Sequence, residues 1–122
     1  MRGVYSQAEG ILAEYKATEY LKEKGYRIIA QNYSAPKVGE LDIVAMKGRT
    51  LAVVEVKYRA SDKRYGSGLE SVTPSKVKKI VKTTACFLRD SSPEYDVLRF
   101  DIIEVTDISI NHIENAFYGN FL

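Results

Sequence analysis

The feature of this 122-residue chain that most restricts its fold is the stretch LDIVAMKGRTLAVVEVKY at residues 41–58. Two β-branched, apolar segments, 41–46 and 51–58, flank Lys47-Gly48-Arg49-Thr50. Gly48 suits the first central position of a two-residue type II′ turn, so the segments read as an antiparallel hairpin with Lys47 facing Thr50. Ile43, Ala45, Ala52, Val54 and Val56 then make one side continuously apolar, and Val53 adds apolar character to the other. A strand pair of this kind needs helices over the sheet to cover it.

The flanking sequence supplies the cover. Ser6 followed by Glu9 has capping-box spacing, which predicts a helix running to about Lys24 and stopping at Gly25. Gly10, Ala13, Ala17, Tyr20 and Leu21 fall near one stripe of it, with Glu14 on the border. Residues 26–33 read as a strand, and residues 59–72, with Gly66 and Gly68, as a loop. Thr73 caps a second helix with Pro74 in its first position. That helix ends near Asp90 and turns Val77, Ile80, Val81, Thr84, Ala85 and Leu88 toward the sheet. Residues 97–105 form another strand, and 108–113 a short edge strand or extension of it. The order α-β-β-β-α-β predicts an α/β fold, a mixed central sheet flanked by helices, in one domain spanning residues 1–122.

Composition narrows the function. Apolar residues at 45% and charged residues at 28% exclude a disordered chain. The single Cys86 cannot form an internal disulfide, and no segment has the roughly 20 consecutive apolar residues of a membrane span. The start MRGVYSQAEG lacks the apolar core of a signal peptide, so a soluble protein of the reducing cytoplasm, without a membrane partner, is expected. Net charge is only +2, yet eight basic residues stand against Asp62 and Glu70 between Lys57 and Lys82. A face of that sign suits phosphate, because Lys and Arg displace the counterions condensed on a nucleic acid. Arg59, Lys63, Arg64, Lys76 and Lys79 are the candidate contacts.

The chemistry sits on the hairpin. Strict alternation puts Glu40 with Asp42 on one side of the first strand and Glu55 with Lys57 on one side of the second. The turn register sets Asp42 opposite Glu55 and Glu40 opposite Lys57. Opposed like charges destabilise a hairpin unless something neutralises them, and a divalent cation does so. Mg²⁺ or Mn²⁺, held by Asp42 and Glu55 with Glu40 nearby and the Val56 carbonyl completing the protein's share, fits the preference for hard oxygen ligands. Lys57 beside the metal is placed to orient or deprotonate water, or to stabilise charge on a phosphate. His112, the sole histidine, and Cys86 read as structural residues, and Arg99 with Asp101 as an ion pair or helix anchor.

The run GELDIVAMKGRTLAVVEVKYR, with ILAEYKATEYLKEKGYRIIAQNY upstream and RFDIIEV and HIENAF downstream, resembles the bacterial YraN family. That family is similar in turn to restriction endonucleases and archaeal Holliday junction resolvases. The resemblance covers nearly the whole chain. It implies a restriction-endonuclease-like core and a metal-dependent nuclease acting on DNA, branched DNA included. It assigns the first acid to Asp42, the acid-x-Lys to Glu55 and Lys57, and the helical acid of the resolvase branch to Glu14. Where relatives commonly carry Gln after a Lys at the start of the second helix, Val77 follows Lys76, leaving Lys76 and Lys79 to take its place. The rival readings are a nucleic-acid-binding module of the same fold with little or no catalysis, and a protein-interaction domain. A homodimer is expected of a nuclease that acts on two strands.

Overall fold

The computed structural model describes residues 7–59 and 72–118. They form α1 (Gln7–Glu23), β1 (Arg27–Ala35), β2 (Gly39–Lys47), β3 (Thr50–Tyr58), α2 (Pro74–Ser91), β4 (Val97–Val105) and β5 (Ile110–Phe117). One mixed sheet runs in the order β1-β2-β3-β4-β5, antiparallel throughout except between β3 and β4. That parallel pair requires a crossover, and α2 lies within the connection.

The two helices cover opposite faces. Ala13, Ala17 and Leu21 of α1 pack with Ile43, Ala45, Ala52, Val54, Val56, Ile103 and Val105. Ile80, Val81 and Phe87 of α2 pack with Leu41, Val44, Met46, Leu51, Val53 and Phe100. The small side chains of α1 let its backbone lie close to the sheet, and Gly10 is buried with them. Gly25 ends the helix at φ +94°, as expected, whereas the predicted capping residue Ser6 lies outside the described residues. Thr73 caps α2, its hydroxyl accepting from the Lys76 N–H at 3.2 Å. The inward face of α2 differs in detail from the periodic reading: Thr83 and Phe87 are buried and Ala85 is exposed. Buried Thr83 and Thr84 are tolerated because each hydroxyl donates back to a carbonyl one turn earlier.

The hairpin register is as the turn chemistry predicts from Lys47↔Thr50 to Ile43↔Val54. Of the two central turn residues only Gly48 has positive φ, at +58°, as a type II′ turn requires. The last strand is longer than expected. β5 is an eight-residue edge strand that begins at Ile110 and passes the predicted end at residue 113.

Its length is explained by a buried polar cluster. Asp101 is fully buried and accepts from Arg99 Nε and Nη2, both at 2.9 Å, from His112 Nε2 at 2.7 Å and from the Asn115 N–H at 3.0 Å. Asn115 has φ +55° and lies where the β4–β5 register shifts, so the carboxylate clips the irregular edge strand to β4. His112 Nδ1 meets the Tyr20 hydroxyl at 3.1 Å, tying α1 to β5. His112 is thus structural, with a carboxylate partner that the sequence spacing did not reveal. No helix among the described residues is long and apolar enough to cross a membrane.

Candidate active site

The alternation of faces along β2 breaks at Asp42. Ile43 and Ala45 pack toward α1, Val44 and Met46 toward α2, yet Leu41 also packs toward α2. Across from it β1 does the same: Gln31 bonds Thr18 of α1, Tyr33 joins the α2-side cluster, and Asn32 between them has φ +53°. The β2–β3 ladder ends at Ile43↔Val54. The expected pairs Asp42–Glu55 and Glu40–Lys57 are therefore not ladder partners, and Asp42 does not simply share a face with Glu40.

Freed from the pleat, Asp42 turns its carboxylate onto the β3 backbone. Oδ2 accepts from the Val56 N–H at 2.8 Å, taking the part a ladder carbonyl would play. Backbone groups alternate in direction along a strand, so the Val56 carbonyl is aimed at the same gap. A buried backbone donor satisfied by a carboxylate also fixes that carboxylate in place.

Glu55 and Lys57, alternating with the α1-facing Val54 and Val56, emerge on the α2 side. With Glu40, Lys76, Lys79, Val72 and Ile80 they line a cavity of about 280 Å³. Gly39 lets the end of β2 approach α2 this closely: a β-carbon there would stand 2.7 Å from Thr83 Oγ1 and 3.0 Å from Lys79 Cγ. The glycine of the Gly-Glu-x-Asp run is thus a packing requirement of the site.

Glu55 is the electrostatic centre. Its Oε2 is buried and has no hydrogen-bond partner among the described residues. Burial first, and then the Asp42 carboxylate, push its pKa from the usual 4.5 up to about 8; Lys57 and an Asp42 backbone hydrogen bond pull it down, and Glu14 pushes it up. Glu14 comes from α1, and its charge reaches Glu55 although it does not line the cavity.

The remaining basic candidates divide. Lys76 and Lys79 reach the cavity wall. Arg59 pairs with Glu104 at 2.8 Å, both side chains largely buried, which links the end of β3 to β4. Lys63 and Arg64 fall outside the described residues, as does the Gly66–Gly68 part of the predicted loop. Cys86 is half-buried on α2.

The donor set suits a hard divalent cation. Among the described residues no group of three or more His, Cys, Asp or Glu is poised to hold a metal. A magnesium-type ion typically takes one or two carboxylates and leaves other positions to water and phosphate. The unsatisfied Glu55 oxygen, the adjacent Asp42 carboxylate and the Val56 carbonyl aimed at the gap meet that need.

Comparison with known proteins places the chain in a family and a fold. The model of the family described as "Uncharacterised protein family UPF0102" matches residues 13–105. A UPF0102 protein of Sulfurihydrogenibium sp. is 39% identical over 109 residues, covering 89% of this chain and 93% of the relative. Another, from Persephonella marina, is 40% identical over 114 residues, covering 93% and 97%. Among solved structures, Hjc of Archaeoglobus fulgidus, a Holliday junction resolvase from an archaeal hyperthermophile, superposes with a TM-score of 0.52 at 21% identity. The superposition covers 86% of this chain and 76% of that one. The fold is accordingly α/β and restriction-endonuclease-like, a five-stranded mixed sheet between two helices.

Proposed function

The chain belongs to the uncharacterised protein family UPF0102, and we propose that it is a divalent-metal-dependent nuclease that hydrolyses phosphodiester bonds of DNA, branched DNA included. The observation that carries the reading is Glu55: a partly buried carboxylate beside Asp42, one of whose oxygens is buried with no hydrogen-bond partner among the described residues. Such an arrangement is costly in isolation and serves a purpose when a cation neutralises it. The likeness to a Holliday junction resolvase supports the branched-DNA part of the proposal through the shared fold alone.

In this reading Asp42, Glu55 and the Val56 carbonyl hold Mg²⁺ or Mn²⁺, with Glu40 at the cavity wall as a further oxygen. The ion supplies charge neutralisation and Lewis acidity toward a phosphate oxygen when bound. Lys57 Nζ, in the same cavity, donates to the attacking water and to the scissile phosphate. That steadies the negative charge that grows as the water oxygen bonds phosphorus, giving its proton to solvent, and the leaving oxygen departs and takes a proton from solvent. Lys76 and Lys79 grip the flanking phosphate, and Glu14 acts from α1 through its charge on Glu55. A two-fold dimer would present two such sites to the two strands of a duplex, and the lone half-buried Cys86 suits the cytoplasm, where DNA is met.

The test is cleavage of end-labelled four-way-junction and linear DNA with Mg²⁺ or Mn²⁺, comparing the natural protein with Lys57→Ala and Glu55→Gln. Metal-dependent cutting lost in both variants is expected. Absence of cutting by the natural protein on any DNA with either ion sinks the nuclease reading. A second reading, a DNA-binding module without catalysis, draws on the lysine-lined α2 face; it predicts salt-sensitive binding that Glu55→Gln leaves intact, with no cleavage.

A further inference from the structure

Three adjoining hollows open along α2 and share the Lys79 side chain. One is the acidic cavity. The next lies beside the β1–β2 turn, along residues 34–40. The third, of about 330 Å³, is lined among the described residues by Lys37, Val38, Ser75, Lys78, Lys79 and Lys82, none of them a carboxylate. Among the described residues, none of these four ammonium groups makes an ion pair or a side-chain hydrogen bond.

Two features set this groove apart from ordinary surface charge. Lys78 and Lys82 stand four apart on α2, where like charges destabilise a helix, and α2 has no acid before Asp90 to interleave with them. Lys37 occupies the third position of the turn closed by Val38 N–H to Ala35 O at 2.9 Å, with φ +66°. That position of a type II turn ordinarily carries Gly or Asn, because a β-carbon there is strained. Lys37 thus holds a strained backbone conformation at the wall of the groove.

Building on the nuclease reading, we propose that the Lys37–Lys78–Lys79–Lys82 groove is a second phosphate subsite, which holds the nucleic-acid backbone beyond the bond being cut. Lys79 joins it to the acidic cavity, so one strand can run from the reacting phosphate into the groove. Among the described residues the wall adds only Ser75 and Val38 to the lysines, and phosphate contacts carry no base information. The grip is therefore independent of sequence, and substrate choice falls to the shape of the DNA.

The test is fluorescence anisotropy of labelled junction and duplex DNA with the full chain, in chelator so that nothing is cut, over a series of salt concentrations. Lys78→Ala/Lys82→Ala should lower the slope of log affinity against log salt by about 2, since each phosphate contact contributes about 0.9 on duplex DNA. Lys37→Gly should lower it by about 1 and also raise the melting temperature, because glycine relieves the turn. A purely structural lysine would not weaken DNA binding while its replacement stabilises the fold. Arg89→Ala, which removes an exposed charge bonded to Asp90, should leave the slope unchanged.

An unchanged slope in the groove variants, an equal fall in Arg89→Ala, or absence of DNA binding overturns the proposal. So does displacement of DNA by polyglutamate at equal charge, which would assign the groove to an acidic protein. Cleavage by the natural protein together with unchanged slopes rejects the groove and spares the nuclease. The expected slopes without cleavage do the reverse.

Discussion

Replacing Glu55 by Gln should make the metal-free protein more stable, by an amount that depends on pH. In the folded chain the Glu55 carboxyl titrates at about 8 instead of its ordinary 4.5, chiefly because it is buried and then because Asp42 faces it. Between those two values the folded state holds a proton that the unfolded state has released, so stability falls as pH rises. Below 4.5 both states are protonated and nothing is lost; above 8 both are ionised and the loss is complete. Each pH unit within the window costs about 1.4 kcal/mol, which accumulates to roughly 3 kcal/mol at pH 7. A neutral amide of the same shape avoids that loss. For a chain of this size the gain corresponds to a melting temperature higher by roughly 10 °C.

Thermal denaturation followed by circular dichroism, in chelator at pH 5 and pH 7, reads the effect directly. The gap between Glu55→Gln and the natural protein should be small at pH 5 and wide at pH 7. Millimolar Mg²⁺ should narrow it by stabilising the natural protein alone. A variant no more stable than the natural protein at pH 7, or a gap independent of pH, would refute the claim that Glu55 is a buried, destabilising carboxyl.

Three further outcomes follow from the packing and the buried charges. Gly39→Ala places a carbon 2.7 Å from Thr83 Oγ1 and should cost about 1–3 kcal/mol in urea unfolding while weakening metal binding, because Glu40 and Asp42 shift with it. Leu41→Ala, at a fully buried side chain, should cost about 2–5 kcal/mol by the same measure. Asp101→Asn should cost about 3 kcal/mol, since it leaves Arg99 and His112 facing a neutral amide. Burial pushes the Asp101 carboxyl up, but the hydrogen bonds from His112, Arg99 and Asn115 outweigh it and hold it below 3.8. Its contribution is therefore complete above pH 3.8 and lost as pH falls through its lowered value, so acid unfolding should begin at higher pH in Asp101→Asn.

Much of the fold was legible because local chemistry and tertiary packing agree. Gly48 sets the turn, the turn sets the Ile43↔Val54 register, and Thr73-Pro74 starts α2 where a helix is wanted. The acids of the site were legible as well, since Asp42, Glu55 and Lys57 stand out on strands that are otherwise apolar. The geometry that joins them was not. Period-two reasoning assumes an unbroken pleat, whereas the left-handed Asn32 and the end of the β2–β3 ladder turn Asp42 into the sheet plane toward Val56 N–H. The same limit hid the partner of His112: Asp101 meets it across a register shift in β5, which no spacing rule announces. Arg59 looked like a phosphate contact by charge alone, and only tertiary structure shows Glu104 beside it.

The central claim, that Asp42 and Glu55 form a divalent-cation site, is tested most directly by calorimetric titration of Mn²⁺ into the natural protein, Asp42→Asn and Glu55→Gln, each alone and with a four-way DNA junction. The account predicts binding to the natural protein with release of a proton near pH 7, as Glu55 is forced to ionise, and loss of both heat and proton release in the variants. Equal binding by all three proteins, or no binding by the natural protein even with DNA present, would contradict it.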